Sequence, residues 1–389
     1  MRPEGGDGTR VSRPDPVAIL ERLVAIPSDR GEEALQRLLA DLLASAGFRV
    51  RLQPVAPGRP NLLAVRGRGG PVLCTHADTV PPFEHPEPYR LRRVRGRLIG
   101  RGVVDAKGQL AAAVAAALTS DRPLVLAVTA DEEDDGRGSR RLRLPASARR
   151  DGVLVLEPTG LAVCDEQAGF VDLELSAGGP SGHVDGPESS GPLEAVLEAI
   201  ERLRTHLVLG RPHPRHGRPW LRVSVVEAGD DTWRVPPRAR ALVHLAVLPG
   251  TSLEEVRRAI RGLVPRRVRV RVDDEGPPVT SPACRVGEAA IAALLTVAGR
   301  APGRLMRSWT DAQHLAARGY PWAVLGAGEL DSAHSAEEWM AERDLRTLSR
   351  VLWRLIQDWT VGEPSIRAAA RARRVARGTP GPPARPLGG

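Results

Sequence analysis

Lysine is almost absent from this chain. Lys107 is the only lysine among 56 basic residues, so the net charge of +9 is carried by arginine dispersed along the sequence. Aromatic side chains make up only 3% of the residues and do not interleave with that charge. Dispersed arginine without stacking partners or a groove-binding helix argues against a nucleic-acid surface. Cysteine is scarce as well: Cys74, Cys164 and Cys284 are too few and too scattered for a disulfide framework. No apolar run approaches the ~20 residues that cross a bilayer. The first 14 residues, MRPEGGDGTRVSRP, are polar and unlike a secretion signal. These absences lead us to expect a cytoplasmic protein with neither a nucleic-acid nor a membrane partner.

What is present suits a two-domain globular protein. A chain of 389 residues exceeds one ordinary core, and hydrophobic residues make up 42% of it. Asp15-Pro16 opens a helix whose apolar face is Val17, Leu20, Leu23 and Val24. A second helix spans Glu32 to Ala46, with Gly47 as its stop. Strand-like runs follow at 48–52, 61–65 and 71–75; an alanine-rich helix at 109–118 then leads into runs at 123–129 and 152–156. Continuous apolar strands alternating with helices predict an α/β fold, a mixed and largely parallel sheet covered on both faces.

From Phe170 the pattern changes. Val171, Leu173 and Leu175 alternate with polar residues, and the order to residue 272 reads β-α-β-β-α-β, a ferredoxin-like α+β arrangement. Helix–strand alternation resumes after Pro277-Pro278 and closes on a helix near 342–360. We therefore expect a catalytic domain over 15–167 and 278–366, interrupted by a lid domain over 168–277. Residues 1–14 and the Arg/Ala/Pro/Gly tail 367–389 are expected to be disordered.

The metal-capable side chains fall in one kind of place. His76 and Asp78 follow the run ending at Thr75; Glu132 and Glu133 follow the run ending near Thr129; Glu157 follows the run ending at Leu156. Asp105 sits in the loop Gly100-Arg-Gly-Val-Val-Asp105, and His334 comes shortly after the run 322–325. In an open α/β sheet, ligands gather at the carboxyl ends of the strands. Five separate segments thus bring His, Asp or Glu to one edge. His206, His213, His216, His244 and His314 read as solvated or structural histidines.

The segments Thr75-His76-Ala-Asp78-Thr-Val, Gly100-Arg-Gly-Val-Val-Asp105-Ala-Lys-Gly108, Asp131-Glu132-Glu133, Glu157-Pro-Thr and Asp331-Ser-Ala-His334 occur in that order. Together they resemble the metalloamidohydrolase and metallopeptidase family that holds acetylornithine deacetylase, succinyl-diaminopimelate desuccinylase, aminoacylase and glutamate carboxypeptidases. The resemblance runs from about residue 15 to 360. It implies a two-metal hydrolase of amide bonds. Asp105 would bridge two ions, His76 and Glu157 would complete one, and Glu133 and His334 the other. Nitrogen and oxygen donors without thiolate suit zinc, with cobalt or manganese as substitutes. Asp78, on the same side of an extended segment as His76, would hold the imidazole's other nitrogen. Glu132 would face the attacking water as general base and pass its proton to the leaving amine.

The resemblance also implies an inserted-domain histidine, His183 in Ser181-Gly-His183, that steadies the developing oxyanion across a homodimer. Two positions depart from the family pattern: Trp233 stands where asparagine is usual, and Ala246 where arginine is usual. Both family residues grip substrate, so their replacement puts the substrate, not the metal chemistry, in question. Asp105-Ala-Lys-Gly-Gln-Leu, Gly138-Ser-Arg and Gly186-Pro-Glu lean toward the acyl-lysine and acyl-ornithine deacylase branch of amino-acid biosynthesis. For that branch, an acidic carrier protein would suit the basic charge. The alternatives are a dipeptidase or carboxypeptidase on the same scaffold, and a non-catalytic binding protein.

Overall fold

The computed structural model describes residues 14–186, 191–207, 213, 216–229 and 233–361. The ends expected to be disordered, 1–14 and 367–389, lie outside the described residues except for Pro14. Two compact units divide the chain. The first draws on Met1–Asp165, Ser281–Arg304 and Thr310–Gly389, and the second on Glu166–Thr280 and Leu305–Trp309.

The first unit is built on a sheet whose strands run, in spatial order, Arg49–Ala56, Arg59–Arg66, Leu124–Thr129, Val72–His76, Val153–Val155, Trp322–Val324 and Val163–Gln167. Val72–His76 lies parallel to both of its neighbours, and Trp322–Val324 is parallel to Val153–Val155. The outer pairs are antiparallel. Every residue of Val72–His76, Leu124–Thr129 and Val153–Val155 is buried. That explains why these runs are continuously apolar instead of alternating.

The alanine-rich helix spans Lys107–Leu118 and is buried on all sides, with every alanine from Ala111 to Ala117 at 1% exposure or less. It packs between helices Pro16–Val24 and Glu342–Asp358. Methyl side chains let helix axes approach closely, which is how a helix with no polar face fits inside a domain. Asp15 caps Pro16–Val24 by accepting a hydrogen bond from the Val17 N–H at 3.0 Å, with Pro16 in the first turn. A three-stranded ribbon of Arg92–Val94, Arg97–Ile99 and Trp339–Ala341 escaped the sequence reading. Strands of three residues are too short to show a period.

The second unit has the expected β-α-β-β-α-β order. Its sheet runs Leu221–Ala228, Arg238–Val247, Gly169–Gly178, Arg269–Gly276, all antiparallel. Val171, Leu173 and Leu175 point to the core, which is closed by Val196, Ile200 and Leu203 of helix Pro192–His206 and by Val256 and Ile260 of Leu253–Leu263. Ser252 and Glu255 form a capping box at the start of the latter helix. Among the described residues, no helix is long and apolar enough to cross a membrane. No disulfide joins the three cysteines, all of which are buried.

Candidate metal centre

His76 is the last residue of the central strand Val72–His76, and its side chain is fully buried. Its Nε2 lies 3.0 Å from Asp105 Oδ1 and 3.7 Å from Glu157 Oε1. The other carboxylate oxygen of Asp105 lies 3.5 Å from His334 Nε2, and that nitrogen is 3.1 Å from Glu133 Oε2. One carboxylate thus stands between two imidazoles, each with a second carboxylate beside it. All five residues belong to the first unit, as do Asp78 and Glu132.

Nδ1 of His76 donates to the backbone carbonyl of Asp78 at 3.1 Å, and the Asp78 carboxylate oxygen Oδ1 is slightly farther, at 3.4 Å. The sequence reading assigned that grip to the carboxylate. The carbonyl takes the nearer place because Asp78 Oδ2 accepts from the Glu133 backbone N–H at 2.9 Å. Asp78 therefore ties the His76 segment to the segment carrying Glu133. With its proton on Nδ1, the ring presents Nε2 as a lone-pair donor.

The electrostatics are those of a crowded anionic site. Burial pushes Glu157 up to about 8 and holds Glu132 well above the ordinary carboxylate range; His76 opposes both shifts. Burial works against charge on the histidines, yet the surrounding carboxylates hold His76 well above its ordinary value and His334 at about 10. Protons thus gather where positive charge is needed. Glu157 Oε1 and Asp78 Oδ1 are buried without a hydrogen-bond donor. A buried acceptor left unpaired costs about 1–3 kcal/mol, more when it is charged. Two imidazoles and three carboxylates with an unmatched buried oxygen are a donor set that divalent cations fit.

The backbone here is unusual in ways that serve the cluster. His334 sits at φ 59° and Asp131 at φ 64°, left-handed conformations that cost a non-glycine residue roughly 1–3 kcal/mol. Asp131 follows strand Leu124–Thr129 and leads into the turn that carries Glu132 and Glu133. It is buried and meets Arg137 through two contacts of 2.6 Å and Arg59 at 3.2 Å. These pairs anchor the turn from which Glu132 and Glu133 project. Gly326 is required because a Cβ there would lie 2.2 Å from the Glu157 carbonyl oxygen.

Three residues missed by the sequence reading hold the site in shape. Glu338, with no exposed surface, accepts from Arg101 Nη1 and the Gly102 N–H through one oxygen, and from the Val104 and Asp105 N–H groups through the other, at 2.8–3.0 Å. It clamps the whole loop that delivers Asp105. Asp311, buried at the start of helix Ala312–Ala317, accepts from Thr129 Oγ1 at 2.5 Å. Burial raises its carboxyl, and His76 and Asp78 are among its charged neighbours. Lys107 is buried, donates to the Ile26 carbonyl at 2.7 Å, and is pushed down by burial to about 7. No local motif marks Glu338 or Asp311, although Asp311 has the residue type and place of a helix start.

The clamp yields a prediction. In Glu338→Gln the amide nitrogen must face donors that the carboxylate accepted, and buried Arg101 loses its counter-charge. Breaking a buried pair from one side costs about 3–5 kcal/mol. We expect a large fall in melting temperature, measurable by calorimetry. A variant that melts with the parent would show that the clamp does not bear on stability.

His183 belongs to the second unit. Its side chain is exposed, with its Nδ1 accepting from the Asp185 N–H at 3.2 Å. Trp233 is also exposed, at 68%, whereas Ala246 is buried in strand Arg238–Val247, opposite Phe170.

Comparison with known proteins agrees with this geometry. The model of peptidase family M20/M25/M40 matches residues 72–358. An acetylornithine deacetylase of Proteus mirabilis is 27% identical over 91% of this chain and 99% of its own. One from Vibrio cholerae is 29% identical over 85% and 93%. Among solved structures, a tripeptidase of Staphylococcus aureus aligns with TM-score 0.71 at 18% identity, over 88% of this chain and 97% of its own. Human carnosine dipeptidase 1 aligns with TM-score 0.70 at 16% identity, over 88% and 96%. At such identities the structural likeness speaks for the fold. A family match across most of the chain speaks for more: the protein belongs to peptidase family M20/M25/M40 and is a metal-dependent hydrolase of amide bonds.

Proposed function

We propose that the chain hydrolyses the amide bond of a linear N-acyl amino acid, or a similar small carboxylate-bearing substrate, with two divalent metal ions, zinc by the chemistry of the donors. In this reading His76 and Glu157 hold one ion, Glu133 and His334 the other, and Asp105 both. The observation that carries it is Asp105, whose two oxygens each face a different histidine, at 3.0 and 3.5 Å. Such a pair of cations polarises a carbonyl and makes water a nucleophile at neutral pH.

The chain's own residues do the rest. Glu132 takes a proton from the water that adds to the amide carbon. It then delivers that proton to the leaving nitrogen as the C–N bond breaks, releasing a carboxylate and an amine. Its burial and raised affinity for a proton suit a group that must accept and return one. Asp78 fixes the tautomer of His76. His183 is the candidate for steadying the oxyanion, in a homodimer formed through the inserted unit.

The N-acyl preference is supported by full-length relatives named acetylornithine deacetylase. A panel of N-acetyl amino acids, N-succinyl amino acids and dipeptides, run on metal-analysed protein, tests it. We expect kcat/KM for an N-acyl amino acid to exceed that for dipeptides about tenfold or more. The reverse preference would move the assignment to a dipeptidase. Protein carrying neither metal nor turnover would be a binding protein instead. The acidic-carrier reading, supported by the net charge of +9, requires release from an acidic carrier to weaken steeply with salt while the free substrate does not respond.

A further inference from the structure

We propose that Glu166, His213 and His216 form a binding site for one divalent transition-metal ion, built entirely within the inserted unit. The sequence reading left both histidines among the solvated or structural ones. The structure brings them onto a single buried carboxylate.

The site has a defined shape. His213 N–H donates to the Gly217 carbonyl at 2.6 Å, and the His213 carbonyl accepts from Gly217 N–H at 2.9 Å and from His216 N–H at 3.2 Å. Gly217 sits at φ 75°, a left-handed conformation open to glycine. The two imidazole rings stack face to face, 4.5 Å between centroids and 7° from parallel. Both direct Nε2 at Glu166: His216 lies 2.7 Å from Oε2, and His213 lies 3.7 Å from Oε1. Glu166, in strand Val163–Gln167, is 8% exposed, and the side chains of His213 and His216 are 14% and 10% exposed. One ligand atom from each of the three lies within 4.8 Å of the others.

His216 and Glu166 stand at ion-pair distance, and His213 faces the same carboxylate. At 3.7 Å, His213 Nε2 stands beyond hydrogen-bond reach of the carboxylate it faces. A cation lying among the three donors would use one nitrogen from each imidazole and one oxygen of the carboxylate. Two histidines and a glutamate without thiolate suit zinc, and also cobalt, nickel or copper. The ligands come from positions 50 residues apart, one in a strand and two in the segment between helix Pro192–His206 and strand Leu221–Ala228. A bound ion would tie that segment to Glu166, which belongs to the second unit, with no part in the amide chemistry. The proposal does not depend on the assignment of the first unit's cluster.

The test is metal stoichiometry of the full chain. Protein stripped with chelator and dialysed against zinc chloride should take up about three ions, two from the first unit and one from the second. His213→Gln/His216→Gln should take up about one fewer, and so should Glu166→Gln, which keeps both histidines if the double variant fails to fold. Asp105→Asn, stripped and titrated with cobalt chloride, should still develop visible d–d absorption that is lost on adding Glu166→Gln. Equal zinc uptake by the parent and both ligand variants would overturn the proposal. If the first unit's cluster binds nothing, the parent holds about one ion and the ligand variants none; that result sinks the two-metal reading and leaves this one standing.

Discussion

Glu132→Gln is expected to lower amide hydrolysis about 10²–10⁴-fold, the range that a positioned general acid–base contributes, while leaving bound metal unchanged. The substitution keeps the shape of the side chain and removes only its capacity to take a proton. Glu132 is buried, and His76, Glu157 and Glu133 are among the charged groups that act on it. Neutralising it therefore relieves repulsion within the anionic cluster, and folding should not suffer. The measurement pairs kcat on an N-acyl amino acid with metal content by elemental analysis. Loss of activity together with loss of metal would recast Glu132 as a ligand. Retained activity would remove it from the chemistry altogether.

Asp105→Asn should act differently, emptying the first unit of metal as well as of activity. Asp105 is the one group that faces both histidines, and an amide offers a single neutral oxygen where the carboxylate offers two charged ones. Since bridging by one carboxylate is what lets two cations sit roughly 3.5–4 Å apart, its loss should remove both ions together. Replacing Glu157 or Glu133 alone should weaken one ion and leave the other more tightly held. Dialysis against a graded chelator series, followed by elemental analysis, separates the cases. If Asp105→Asn and Glu157→Gln lose the same single ion, Asp105 does not bridge.

The two variants also differ in their expected effect on stability. Native-state metal stabilises a fold in proportion to how tightly it is held. With the second unit equally stripped of metal, Asp105→Asn should therefore melt at the temperature of the chelator-stripped parent, and loaded Glu132→Gln at that of the loaded parent.

Particular residues show how far the sequence could be read and where it stopped. The placing of His76, Glu133 and Glu157 was legible because each follows an apolar run, whereas Asp105 and His334 entered through the family resemblance. Strands buried on both faces are readable from one chain segment at a time. The burial of Asp131 was not legible because one of its partners, Arg59, lies in a distant segment. Asp78 lies beside the ring as expected, with its carbonyl at 3.1 Å and its Oδ1 at 3.4 Å from His76 Nδ1. A side chain's direction follows from strand geometry, but which oxygen approaches a ring depends on what else that carboxylate must satisfy, here the Glu133 N–H.

Local pattern by itself determined the α/β sheet, the inserted β-α-β-β-α-β unit and the edge at which the acidic and imidazole side chains gather, because burial imposes its periodicity within a dozen residues. Only the tertiary structure decided that Glu338 clamps a loop more than 230 residues away in sequence, and that His213 and His216 meet Glu166. Contacts of that kind are set by how sheets and helices pack. A chain bringing distant segments together leaves no trace of the meeting in the neighbours of either residue.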